Sequence, residues 1–298
     1  MKLRERAECF FNNYFLDYTP KNEKMTTAIT IYYSCSIVFA IISGAFKITN
    51  QYIELIFYII TTISVCSYYF KVKSNYKHIR HWPKRKMTVK SFIILCSLRR
   101  ITTLVSFGIL EVLYMIRGYS DEIIQGSASD LGIDLATIIK VVIIGPIFEE
   151  VLIRGTGLIL FDKDDNKIEA ILLTSLVFGL MHANVAQSIN ATLGGLILGY
   201  IAIEYGIIFS ILFHMINNSL VYVEYFFDIK QIIYIAPVTI IVIYILLNRD
   251  IFKRFINYFN TSKKFRFKRQ LLHFFHPILL SYIFIWIIYI VKDVLDKG

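Results

Sequence analysis

Gly145-Pro146-Ile147-Phe148-Glu149-Glu150-Val151-Leu152-Ile153-Arg154-Gly155 places two adjacent carboxylates and a guanidinium inside a largely apolar run, residues 135–161. A run of that length crosses a bilayer as a helix, because a hydrocarbon core about 30 Å thick takes about 20 predominantly apolar residues. Ionisable groups at a helix centre cost about 2.5–3.5 kcal/mol each on insertion scales. Three of them within six positions therefore demand partners, water or a chemical task.

Outward from this stretch the chain keeps the same character. It has 298 residues, 56% of them hydrophobic and 15% aromatic, with a mean hydropathy of +0.58, too apolar for an ordinary soluble domain. An all-α, polytopic transmembrane bundle is the expectation. Spans are predicted at 26–46, 52–70, 91–116, 135–161, 168–183, 189–203, 206–222, 232–247 and 271–291. These make about eight to nine spans. The formal charge of +10 would suggest nucleic acid in a soluble protein. Here the basic residues collect between apolar segments, at 71–90 and 249–270, which is the positive-inside pattern and excludes a nucleic-acid partner. The N-terminus is then cytoplasmic and the C-terminus outside, in a multi-pass protein of the cell membrane whose environment is the lipid bilayer.

The domain organisation follows. Residues 1–24 form a surface segment with aromatic residues at helical spacing, 25–132 hold N-terminal membrane helices, and 133–224 form a polar-bearing core. Residues 225–298 hold C-terminal helices around a basic loop. Arg99 and Arg100 interrupt the third span and fit a snorkelling position only if the embedded part starts near Ile101. Cys9, Cys35, Cys66 and Cys96 form no CxxC pair and read as free, packed thiols. Gly194-Gly195-x-x-x-Gly199 reads as a face for close helix packing.

Besides the glutamates, His182, His214, Asn217 and Asn218 stand in apolar surroundings. At 1.5 Å per residue from the cytoplasmic helix ends, Glu149 lies about 18 Å deep, His182 about 21 Å, Asn218 about 18 Å and His214 about 11 Å, so one shared site is allowed. His214 and Asn218, at i and i+4, share a helix face. Glu150 and Arg154 have the same spacing and read as an intrahelical ion pair, which leaves Glu149 about 100° away without a partner on its own helix.

There is no GxSxG, no Cys beside a His and no HExxH. A buried Glu with two His and an Asn suits activation of water, with His and Asn donors for a tetrahedral oxyanion, and amide hydrolysis fits that set. Zinc is the rival, since two His and a Glu satisfy its usual ligand count, although no paired-histidine helix supports it. A proton-coupled transporter would also place Glu and His at mid-depth, but no inverted repeat accompanies them.

Glu149-Glu150-x-x-x-Arg154, Phe178-x-x-x-His182 and His214-x-x-x-Asn218 resemble, in order, the EExxxR, FxxxH and HxxxN motifs of the CPBP family of CAAX-protease and bacteriocin-processing (Abi) membrane peptidases. The resemblance covers about residues 135–222. Ile153 departs from the aromatic residue that many members carry before the arginine. The resemblance implies an intramembrane glutamic endopeptidase in which Glu149 with His182 activates water. His214 with Asn218 then forms the oxyanion hole, and Glu150 and Arg154 support the site or orient substrate. It implies a peptide or membrane-protein substrate and no cofactor, although members have often been labelled metalloproteases. The alternative within the family is a non-catalytic regulator or a bacteriocin self-immunity protein that acts by binding a partner such as a sensor kinase. The Ile, Lys, Asn and Tyr bias suggests an AT-rich bacterial genome. There, peptide pheromones, bacteriocin precursors or membrane-protein tails fit better than prenylated substrates.

Overall fold

The computed structural model describes residues 50–74, 85–117, 133–161, 167–182 and 185–227, with isolated helical positions between 236 and 257. Among the described residues all regular structure is helical. Helix α1 is Gln51–Ser74 and α2 is Val89–Arg117. Helix α3 occupies 135–161, α4 is Lys167–Leu180, α5 is Val185–Glu204 and α6 is Ile207–Phe227.

Four of the starts have a local cause. Asn50 Oδ1 accepts the Tyr52 N–H at the head of α1, and Thr88 Oγ1 accepts the Ser91 N–H at the head of α2. Asp134 caps α3, taking the Thr137 N–H at 2.9 Å and the Thr137 hydroxyl at 2.6 Å. That hydroxyl first, and then the N–H, hold the Asp134 carboxyl below the usual carboxylate range. Helix α5 ends at Gly206, whose φ of 108° suits glycine alone. Its N–H closes on Ile201 O while its own carbonyl starts α6 by accepting from Phe209.

Among the described residues, four helices are long and apolar enough to cross a membrane: Gln51–Phe70, Val89–Leu113, Val185–Glu204 and Ile207–Glu224. They correspond to the predicted spans 52–70, 91–116, 189–203 and 206–222. The expected span at 168–183 is shorter than predicted. Helix α4 has 14 residues, about 21 Å at 1.5 Å per residue, less than the core of a bilayer. The spans expected at 26–46, 232–247 and 271–291, and the surface segment 1–24, lie outside the described residues or touch them only at isolated positions. The lipid-facing character of α1 and α2 is legible in their exposed apolar side chains, among them Ile56, Ile60, Ile63, Val105 and Leu113.

Helix α5 is central: it packs against α4, α2 and α6 and touches α3. Its closest neighbour is α4, and small residues allow the approach. A Cβ on Gly199 would lie 3.0 Å from Ile171. One on Gly179 would meet Thr192 Oγ1 at 1.9 Å and the Ser188 carbonyl at 2.6 Å. A rotamer change can move the threonine but not the backbone carbonyl. Gly179→Ala is therefore expected to cost about 1–3 kcal/mol as overpacking. The readout is a lowered unfolding midpoint in detergent that Thr192→Ala does not restore.

The sequence allowed Arg99 and Arg100 a snorkelling position only if the embedded part of α2 starts near Ile101, and the structure gives them another place. Both lie within the apolar part of α2 and turn inward, where polar partners from other helices replace water. Arg100 forms a buried ion pair with Glu224 of α6 at 3.0 Å, and Arg99 Nη1 donates to Asn190 of α5 at 3.0 Å.

Candidate active site

Helix α3 is not one uniform α-helix. α-Helical turns alternate with two π-helical segments, Lys140–Ile144 and Val151–Gly157, which flank the α-helical Gly145–Glu150. Pro146 explains the first. In the π segment the Gly145 N–H goes to Lys140 O, so Val141 O loses its α-register donor. Its π-register donor would be Pro146, which has no N–H. Asn218 Nδ2 on α6 takes the vacancy, donating to Val141 O at 2.9 Å. The proline thus fixes the side chain of a candidate site residue from another helix. One N–H of that amide is used in this way, and the second is left for another acceptor.

Glu150 and Arg154 pair as the spacing predicts, Nη1 to Oε1 at 3.0 Å, with both side chains wholly buried. The pair is tied further into the bundle. Ser210 Oγ donates to Glu150 Oε2, and His214 Nδ1 lies 3.0 Å from Glu150 Oε1. An ionised carboxylate only accepts, so Nδ1 carries the proton and Nε2 is the ring atom left for the site. The Arg154 guanidinium also stacks over the Phe178 ring at 4.3 Å, and its Nη2 reaches Gly195 O at 3.4 Å.

Phe178 is the hub of this arrangement. Its ring meets His182 edge-on at 4.9 Å between centroids and His214 at 5.7 Å. Its carbonyl lies 2.8 Å from His182 Nδ1. A carbonyl can only accept, so His182 also carries its proton on Nδ1 and presents Nε2 as a lone-pair acceptor.

The two histidines and Asn218 line one cavity of about 240 Å³, with Asn217, Asn190, Gln187, Arg99 and Phe178 among the other wall residues. That volume holds several waters. Glu149 is not itself in the wall of this cavity. Its Oε2 lies 3.6 Å from His214 Nε2, and its side chain is 22% exposed. The partner that Glu149 lacks on its own helix is therefore supplied by α6. So the structure gathers Glu149, Glu150, Arg154, His214 and Asn218 into one connected group, with His182 across the shared cavity.

Among the described residues, no three of His, Cys, Asp and Glu are placed so as to hold a metal ion. Sequence reasoning missed Ser210, although it continues the His214 and Asn218 ladder four residues back. It also missed Arg99 as a wall residue.

Residues 132–220 match the family described as Rce1-like type II CAAX prenyl endopeptidases. The match contains all three motifs and is consistent with the CAAX-protease family that they resemble. Neither a curated protein nor a solved structure matches the chain.

Proposed function

We propose that the protein is an intramembrane endopeptidase that hydrolyses peptide bonds in membrane-associated peptides or protein tails, with water as the nucleophile. The observation that carries this reading is the single cavity shared by His182, His214 and Asn218, with the Glu149 carboxylate 3.6 Å from His214 Nε2. The family match over the same residues adds to it.

In the proposed reaction, a water in the cavity donates one hydrogen bond to His182 Nε2. It gives its other proton, through a second water, to Glu149, which lies outside the cavity wall beside His214 Nε2, as its oxygen bonds to the substrate carbonyl carbon. The carbonyl π pair moves onto oxygen, where the second Asn218 N–H stabilises it, joined by His214 when Nε2 as well as Nδ1 carries a proton. The proton on Glu149 passes to the amide nitrogen as the C–N bond breaks, leaving an acid and an amine. Glu150 and Arg154 touch no reacting atom and act by positioning His214. No step uses a metal, so cleavage is expected to persist under a strong chelator.

Comparative peptidomics of membranes carrying the wild-type protein or His182→Ala tests the proposal. Peptides released only by the wild type, with and without chelator, are the expected result. If both membranes yield the same peptides while His182→Ala complements a deletion fully, the protein acts by binding rather than by cleavage.

A further inference from the structure

We infer that the cavity is entered from the non-cytoplasmic face of the membrane, so that its substrate is a polypeptide presented there, an exported peptide or the outward-facing tail of a membrane protein. The substrate half of this inference rests on the peptidase reading above, and the entry face does not.

The described helices alternate in direction, so their ends fall into two sets. One set holds the junctions of α1 with α2, Ser74 to Val89, of α3 with α4, Phe161 to Lys167, and of α5 with α6, Glu204 to Ile207. Arg85 ties the first of these junctions to the last, its N–H donating to Glu204 O at 3.0 Å and its Nε lying 3.1 Å from Glu204 Oε2. Helix α2 rises from there, and Arg99 reaches Asn190 further up α5. The other set holds the junctions of α2 with α3, Arg117 to Leu135, and of α4 with α5, Leu180 to Val185.

Cations separate the two ends. The connections of the first set carry Lys77, Arg80, Lys84, Arg85, Lys86 and Lys163. Those of the second, 118–134 and 181–184, contain neither lysine nor arginine, and Arg117 stands where α2 closes. Lysine and arginine in short loops are held on the cytoplasmic side. The first end is therefore cytoplasmic and the second faces away from the cytoplasm.

The cavity belongs to the second end. Its wall on α5 runs from Gln187 to Leu198 and on α6 from Phe213 to Tyr222. Gln187, at the head of α5, is exposed, whereas Leu198 is buried about 20 Å along the axis from Val185. Phe213 lies about 21 Å along α6 from Phe227, so both helices put the floor at one depth. Wall residues of the other two helices also lie near second-end termini, His182 just past Leu180 and Val141 early in α3. Below the floor the bundle is closed: residues 197–205 of α5 and its turn, and 150–159 of α3, are all buried. The enclosed Glu150, Arg154 and Ser210 sit within that plug, which leaves a peptide chain no route from the cytoplasm.

The test uses the full chain in sealed membrane vesicles, right-side-out and inverted, with a membrane-impermeant maleimide whose adducts are located by mass spectrometry. Gln187→Cys reports on the cavity mouth, and Lys86→Cys, at an exposed position of the other end, reports on the cytoplasmic face. Position 187 should label at least about tenfold faster in right-side-out vesicles than in inverted ones, and position 86 should show the opposite ratio. Failure of position 187 to label from the outer face, or labelling of both positions from one face, overturns the inference. Cleavage is followed with a random-sequence, fluorogenic peptide pool added outside each kind of vesicle, with His182→Ala as the control. Release confined to right-side-out vesicles is expected, and release by inverted vesicles overturns the inference. The expected labelling with no cleavage in either kind leaves the entry face in place and removes the peptidase reading alone.

Discussion

Glu149→Gln is expected to lower the cleavage rate by about 10²–10⁴-fold, the range for loss of a positioned general base, while the protein still accumulates and inserts. Glutamine keeps the size of the side chain but cannot take a proton from water. The structural cost should be small because Glu149 stands outside the buried pair, with its side chain 22% exposed and its contact to His214 longer than a hydrogen bond. Single-turnover cleavage of a peptide found in the wild-type digest measures the effect, and the unfolding midpoint serves as the control. Cleavage at the wild-type rate would remove Glu149 from the reaction.

The largest effect on stability is expected at Arg154. Its guanidinium and the Glu150 carboxylate are both fully enclosed. Removing the cation alone strands a charge that Ser210 and His214 cannot neutralise. Breaking such a pair from one side costs about 3–5 kcal/mol, whereas replacing both partners by apolar groups is often neutral. Arg154→Leu should therefore lower the unfolding midpoint sharply, and Glu150→Leu/Arg154→Leu should recover much of the loss. The double variant should nonetheless cleave poorly, since His214 loses the acceptor at 3.0 Å that sets its ring. An Arg154→Leu protein as stable as the wild type would show that the pair contributes nothing to the fold.

Part of this arrangement could be read from the chain. Periodicity and hydropathy located the four long helices because lipid imposes one rule along their length. The i,i+4 spacing gave the Glu150–Arg154 pair, and depth arithmetic allowed the histidines and Asn218 one shared site. Other features depended on partners far away in sequence. Nothing near Arg100 announces Glu224, and nothing near Asn218 announces a carbonyl at Val141. Gly194 and Gly195 read correctly as a close-packing strip, yet what they admit is two guanidiniums as well as a helix. The Gly194 Cβ position abuts Arg99, and that of Gly195 lies 3.0 Å from Arg154 Nη2. The place of Arg99 and Arg100 was open for a related reason: a charge in an apolar run can go to the membrane edge or to the protein interior, and only the packing decides which.

The two widened turns of α3 bear on how this region tolerates changes in length. A π turn holds one residue more than the α turn it replaces. Excising Val142 or Ile143 would close the wide turn into an α turn of the same angular span, so the residues beyond it would keep their facing. Glu149 would still lie toward His214, and Val141 O would then stand four residues before Pro146 and still want a donor from Asn218. Loss of a residue from the regular turn Gly145–Glu150 would instead rotate everything beyond it by about 100°, so single-residue deletions should be borne better in the wide turn than in the regular one beside it.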